Sequence, residues 1–423
     1  MSGWRGLLAG LEHNSALCVS HGAKLRVPSA LSRPTPLDPI TVNPFEYGGV
    51  VSADAFCNRT AELAELRRAA ENGDRLLVYA ERRMGKTSLV KRVVGSLPSD
   101  TFLPIYVDVW PTSDAISLAK AVATATVEST ARRTDRALET AKEVVRRLVP
   151  SLTTDDGGNP VVQFGARVDD APEPILEDAL DAPARLAAAR GKRVVVVYDE
   201  IQRLAEYGDD VAERVLRSRT QAHEGVAYFF TGSRKHLIRE MFMDRGRPLY
   251  QTAGHYPIGA IATEHWVPFI SQRFEEAAKS VDADVVRSLC ERTQGHPYYT
   301  QHLAHALWEI TPTGEGATGA RLDAALEVVL TRLAYPFSVL WESLTSNQRS
   351  LLQGLVNGGP DARVFSSSFL GSLKMASSSA SRAIEGLMHN DILDREEDGY
   401  VVTDRFFRLW VRHTLTKGLP PTR

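Results

Sequence analysis

The sequence predicts an α/β core, a parallel sheet with helices on both faces, followed by a helical lid and a terminal unit of helices and a hairpin. Three observations carry this. Four continuous apolar runs, RLLVYA (75–80), FLPIYVDV (102–109), RVVVVYDE (193–200) and VAYFFTGS (226–233), alternate with helical patterns, as strands buried on both faces do. After about residue 260 the strand signal stops and helical stretches follow. The last segment reads helix, helix, then ILDREEDGYVVTD, a two-stranded hairpin around an acidic turn.

Residues 1–43 are broken up by Ser, Pro and Gly and are expected to form a flexible leader. NRTAELAELRRAAEN (58–72) places Leu63 and Leu66 on one stripe with charges elsewhere, an amphipathic helix that introduces the first strand. SLVKRVVGSL (88–97) is the helix after that strand, and one further helix is expected from about Ser113 to Leu148. The turn-rich stretch 150–174 reads as an insertion or hairpin. HWVPFISQRFEEAAKSV, ADVVRSLCERTQ and HPYYTQHLAHALWEI give three lid helices, and a new segment starts near Pro336. The expected domains are therefore a leader (1–43), an α/β core (44–260), a helical lid (261–335) and a winged-helix domain (336–423).

At 423 residues the chain is too long for one ordinary core. Its net charge of −2 draws it neither to nucleic acid nor to anionic membrane as a whole. Three scattered cysteines, Cys18, Cys57 and Cys290, fit a reducing compartment without a disulfide framework or zinc cluster. Apolar runs confined to short strands fall below the ~20 residues of a membrane span, and the amino terminus is a poor signal peptide. The expected location is cytoplasmic, with no membrane partner.

YAERRMGKTSLV (79–90) matches the phosphate-binding pattern G-x-x-x-x-G-K-[ST], except that Ala80 takes the first glycine's place. Its context is strand, loop, helix, as a P-loop requires. The loop residues Ala80, Glu81, Arg82, Arg83, Met84, Gly85, Lys86, Thr87 and Ser88 would cradle phosphates on backbone N–H groups at the helix start. Lys86 would reach the β- and γ-phosphates, and the Thr87 hydroxyl would coordinate Mg²⁺. A methyl group at Ala80 is acceptable only with φ below zero. RVVVVYDE ends in Asp199 and Glu200 at the carboxyl end of a buried strand, where open α/β sheets bind ligands. Asp199 can hold Mg²⁺ through water, and Glu200 can orient the attacking water. Thr231, Ser233 and Arg234 follow at the next strand end, within reach of a γ-phosphate. The implied catalytic set is Lys86, Glu200 and Arg234, with ATP and Mg²⁺ as ligands.

Together, YAERRMGKTSLV, VVVVYDEIQRL, FFTGSR and TQGHPYYTQHL resemble the archaeal-type P-loop ATPases of the AAA+/STAND group over roughly residues 44–415. That resemblance implies an ATPase with a helical lid and a C-terminal winged helix. It implies that Pro44, Phe45, Val51 and Phe56 border the adenine, with Arg59 and Glu62 supporting the turn. It also implies that Gly295 and Pro297 form the lid element over the base. Ala80 and Asn58 both stand where the family carries glycine; Asn tolerates the left-handed backbone.

Arg82 and Arg83 read equally as contacts to phosphate or a neighbouring subunit and as solvated loop charges. One of Arg239, Arg245 and Arg247 is a candidate arginine finger, against a plain surface role for each. The histidines show no metal-ligand spacing. The candidate recognition helix carries Arg382 opposed by Glu385, and residues 345–423 hold 10 basic against 8 acidic side chains. Protein contact or self-association is therefore favoured over DNA for this domain. The expected function is a nucleotide-driven switch that hydrolyses ATP slowly. The alternative is a regulator or loader whose ATPase controls assembly on DNA, and a nucleotide-binding scaffold remains a third class.

Overall fold

Five parallel strands form the central sheet of the computed structural model, which describes residues 42–49, 56–130, 134–154, 160–166, 171–358, 363–396 and 399–417. Nearly all of the expected leader, and Val51, lie outside the described residues. Helix α1 (Thr60–Asn72) leads into β1 (Arg75–Ala80), α2 (Lys86–Gly95) and β2 (Phe102–Asp108). The single helix expected over 113–148 is instead two, α3 (Ala115–Glu128) and α4 (Thr134–Val144). The Ser129 and Thr130 hydroxyls bond back to the Thr126 and Val127 carbonyls, at 2.6 and 3.1 Å, and compete with continuation of α3. The turn-rich stretch is an antiparallel hairpin, β3 (Val149–Thr154) with β4 (Pro160–Gly165), paired only with itself. The chain then runs through α5 (Pro172–Arg190), β5 (Arg193–Asp199), a 3₁₀ turn (Ile201–Glu206), α6 (Val211–Ala222), β6 (Val226–Gly232), α7 (Lys235–Met243) and β7 (Gly254–Ile258).

The strand order is β2-β5-β6-β1-β7. Alternate side chains of each strand face opposite sides. Ile105, Val107, Val196, Tyr198, Tyr228 and Phe230 pack with α3, α5 and α6. Val78, Val195, Val197, Ala227 and Phe229 pack with α1 and α2 on the other side. β7 escapes the sequence pattern because it is an edge strand: within GHYPI only Ile258 is buried. After β1 the chain crosses to β2 on one side, whereas β7 lies on the other, so the carboxyl ends of β1, β5 and β6 open at a topological switch point.

The lid comprises α8 (Thr263–Glu275), α9 (Ala283–Thr293), α10 (Pro297–Ile310) and α11 (Gly319–Ser343), plus a two-residue parallel pair, β8 (Ser280–Val281) with β9 (Gly316–Ala317). Pro336 lies inside α11, so one unbroken helix carries the chain into the last segment. The expectation that apolar runs are confined to short strands needs correction here. By length and composition, α11 is the one helix among the described residues long and apolar enough to cross a membrane. Its Leu322, Ala325, Val329, Leu330, Phe337 and Trp341 instead enter a protein core.

The terminal unit consists of α12 (Ser346–Gly358), α13 (Ser367–Ser372), α14 (Ser377–His389), the hairpin β10 (Leu393–Glu396) and β11 (Gly399–Val402), and α15 (Arg405–Lys417). It has no separate core. Leu351, Leu387, Phe406, Phe407 and Trp410 join Trp266, Leu303, Val329 and Trp341 of the lid in one hydrophobic cluster. Phe407 and Trp410 stack at 6.0 Å, and Phe337 meets them at 5.4 and 6.0 Å. Each such side chain contributes roughly 1.5–3 kcal/mol by burial.

Candidate nucleotide site

Ala80 is the last residue of β1, paired with Ile258 and buried in the core. It stays extended, as a residue with a methyl group must, and the chain turns only afterwards. Gly85 takes φ 85° and has nothing within 4 Å of where a Cβ would stand, so glycine serves backbone conformation there. Arg83 carries φ 61° without that freedom, and its guanidinium lies 4.4 Å over the Tyr298 ring. Asn58 and Arg59 are both left-handed, a backbone that Asn tolerates better than most side chains. Arg59 ties the turn down, donating to Glu62 at 2.7 Å and to the Gly259 carbonyl at 2.6 Å.

Lys86 opens α2 and is only 5% exposed. Its Nζ lies 2.5 Å from Asp199 Oδ1, 3.1 Å from Thr231 Oγ1 and 3.5 Å from Glu200 Oε1. Asp199 also accepts from Thr87 Oγ1 at 3.1 Å and from the hydroxyls of Tyr106 and Thr231. Burial alone would push the Asp199 carboxyl up. The Lys86 ammonium and the hydrogen bonds from Lys86, Thr231 and Tyr106 outweigh it and hold the group down at about 2. Burial, then the neighbouring carboxylate, push the Tyr106 phenol up, so it remains a donor. Tyr106 was not foreseen: its role depends on β2 lying beside β5, which spacing in sequence does not reveal.

Glu200 sits at φ 58°, turning the chain sharply after β5. Its Oε2 accepts from Ser233 Oγ at 3.1 Å and from the Gln202 amide. Arg234 reaches Glu206 at 2.6 Å and Asp391 at 3.2 Å. Asp391, between α14 and β10, is also 3.6 Å from Arg82, and Arg405 at the start of α15 pairs with Glu81 at 2.6 Å. The lid adds His296, whose Nε2 meets the Arg82 carbonyl at 3.0 Å. Burial and then the Arg405 guanidinium push that imidazole down to about 3, so it is neutral and donates.

These elements enclose a cavity of about 930 Å³. Glu81, Arg82, Arg83, Met84, Gly85, Lys86, Thr87, Ser88, Glu200, Ser233 and Pro297 lie on its wall, as do Asp391 and Asp404 of the terminal unit. Of the residues the resemblance set around adenine, Phe56 is on the wall. Pro44 and Phe45 are not among the lining residues; Phe45 is buried against Phe269 and Phe274, and its neighbours Glu46 and Tyr47 line the cavity instead. Asp199 lies behind Lys86 and Thr87. At Gly295 a Cβ would stand 2.4 Å from the Ile261 carbonyl, so the lid turn requires glycine. Among the arginine-finger candidates, Arg247 pairs with Glu213 at 2.5 Å, Arg239 reaches the Arg395 carbonyl at 3.3 Å, and Arg245 is exposed. An ionised carboxylate beside a hydroxyl is a hard, all-oxygen donor set, and Asp199 with Thr87 therefore suits Mg²⁺.

A family model described as an ATPase domain predominantly from Archaea matches residues 56–303, more than half of the chain. A second, described as a probable winged helix domain, matches residues 335–413. No curated protein matches the sequence. Among solved structures, the chain is similar to a Walker-type ATPase of Pyrococcus abyssi at 16% identity and a TM-score of 0.58, over 85% of this chain and 97% of that one. It is similar also to the Aeropyrum pernix ORC2 protein, solved as ADPNP–ADP complexes, at 12% identity and a TM-score of 0.52, over 88% and 99%. Both likenesses concern the fold. The P-loop at the end of β1, the acidic end of β5 and the helical unit behind them agree with the family match: the chain belongs to the archaeal-type ATPases, with a C-terminal winged helix after the ATPase domain.

Proposed function

We propose that the chain binds ATP with Mg²⁺, hydrolyses it slowly, and acts as a nucleotide-driven switch read out by its winged helix. The observation that carries this is the pairing of Asp391, from the winged helix, with Arg234 and with Arg82; Asp391 and Arg82 lie on the cavity wall, and Arg234 follows the wall residue Ser233. Asp391 presents to both arginines the charge that a γ-phosphate oxygen would present. An incoming triphosphate competes for the same guanidiniums and repels the carboxylate. ATP thus weakens a contact that binds the winged helix to the core, and loss of the γ-phosphate restores it.

Within the core, Asp199 and Thr231 hold the Lys86 ammonium, and a bound phosphate would compete with them for it. Mg²⁺, held by the Thr87 hydroxyl and Asp199, would neutralise charge developing on the phosphates. Glu200 is placed to take the proton of the attacking water, and Arg234, once released by Asp391, to meet the γ-phosphate. Protein contact or self-association is the output this reading favours. The exposed face of α14 offers Ser377, Ser378, Arg382, Glu385 and His389, one arginine balanced by one glutamate, which gives the DNA-loader alternative little electrostatic support.

Lys86→Ala should abolish ATP·Mg²⁺ binding in a calorimetric titration. Asp391→Ala should release bound nucleotide at least about fivefold faster in a fluorescent-ADP chase, in the range of ordinary coupling energies. Unchanged affinity in the first variant removes the nucleotide site; an unchanged release rate in the second removes the switch.

A further inference from the structure

Gln202 is only 1% exposed, in the turn that follows β5. Its amide donates to Glu200 Oε2, and the Ser233 hydroxyl donates to the same oxygen at 3.1 Å. Two donors occupy both lone pairs of that oxygen. Glu200 Oε1 is differently placed: Lys86 Nζ stands 3.5 Å from it, at the limit of hydrogen-bond distance. The Gln202 side chain also lies against the end of β6. At Gly232, the end of β6, an added Cβ would stand 2.3 Å from Gln202 Oε1 and 2.6 Å from Ile238 Cδ1. A side chain at 232 would therefore displace the Gln202 amide or the Ile238 tip.

We propose that Gln202 is a positioning residue for hydrolysis: with Ser233 it anchors Oε2 of Glu200, which leaves Oε1 as the atom that receives the proton. The water oxygen forms a bond to the γ-phosphorus, and the bond from that phosphorus to the β-phosphate oxygen breaks with its electron pair leaving on ADP. The water proton passes to Oε1. A carboxylate without its anchor turns about its broad terminal torsion, exchanges its two oxygens and loses the fixed hydrogen-bond reach that a general base needs. The inference rests on the assignment of Glu200 as the base.

Steady-state ATPase rates and ATP affinities of the full chain test it. Gln202→Met keeps the length and nearly the volume of the side chain over Gly232 but removes the donor. We expect kcat to fall about 10- to 100-fold with ATP affinity and the thermal midpoint unchanged, within the range of general-base contributions. Ser233→Ala should lower kcat in the same way, and Ser233→Thr, which keeps a hydroxyl, should restore it. In a Glu200→Gln background Gln202→Met should cause no further loss, because the oxygen it anchors no longer accepts the proton. Wild-type turnover in Gln202→Met, or a loss of affinity and thermal midpoint in step with kcat, overturns the positioning role. Wild-type turnover in Glu200→Gln alone would instead remove the base assignment, an outcome separate from the first.

Discussion

Single residues at this site are held by competing charges, and pH exposes the competition. His296 is buried and neutral, pushed down to about 3 by its surroundings, whereas an unfolded imidazole titrates near 6.5. As pH falls below that ordinary value, the unfolded chain takes up a proton that the folded one refuses. The stability His296 contributes is therefore present above about pH 6.5 and is lost progressively toward pH 3. Between about pH 7.5 and 5 the loss amounts to about 2 kcal/mol. Denaturant midpoints across that range should show this slope in wild type and a shallower one in His296→Gln, which retains a donor for the Arg82 carbonyl. Parallel slopes would place the pH response elsewhere. Asp199 behaves in the same sense at lower pH: its contribution is full above its ordinary carboxylate range and disappears as pH falls toward about 2.

At the scale of elements, the P-loop shows how a motif survives the loss of a signature residue. Ala80 belongs to β1, not to the turn, and its methyl packs in the core formed with Ile258 and Leu89. Ala80→Gly therefore restores no backbone freedom that the loop uses. It should leave ATP affinity within about twofold while lowering stability by about 1–2 kcal/mol, from a lost buried methyl and a freer unfolded chain. A tighter nucleotide complex without a stability loss would show that the turn begins earlier than Tyr79–Ala80. The neighbouring strands carry a second lesson. β1, β5 and β6 were legible from their apolar runs, and so were Lys86, Asp199 and Glu200 at their ends. The edge strand β7 and the small β8–β9 pair were not, because exposed or two-residue strands have no hydrophobic periodicity to read.

For the molecule as a whole, lid and winged helix share one core. Phe407 is 1% exposed and packs against Phe337, Trp341 and Trp410, in a cluster that also holds Trp266, Leu303 and Val329 from the other side of the expected boundary near Pro336. Phe407→Ala should remove about 3–5 kcal/mol. Because α11 runs through that boundary, lid and winged helix should unfold in a single calorimetric transition, lowered as a unit in the variant. Two separated transitions, with only one shifted, would refute the shared core. In the proposed switch, a lid and winged helix that share one core would pass a displacement at Asp391 on through α11 and α15.

The sequence by itself determined the parts whose physics is local: strands announced by apolar runs, a glycine directly before Lys86, and two carboxylates at a strand end. It also placed the hairpin near the carboxyl terminus. Tertiary structure decided what depends on which segments meet. Tyr106 donates to Asp199 only because β2 lies beside β5, although 93 residues separate the two side chains. Asp391 and Arg405 close over Arg234 and Glu81 only because α14 and α15 pack on the lid. Charges so far apart in the chain leave no spacing to read, and their energies arise only when folding brings them within a few ångströms of one another.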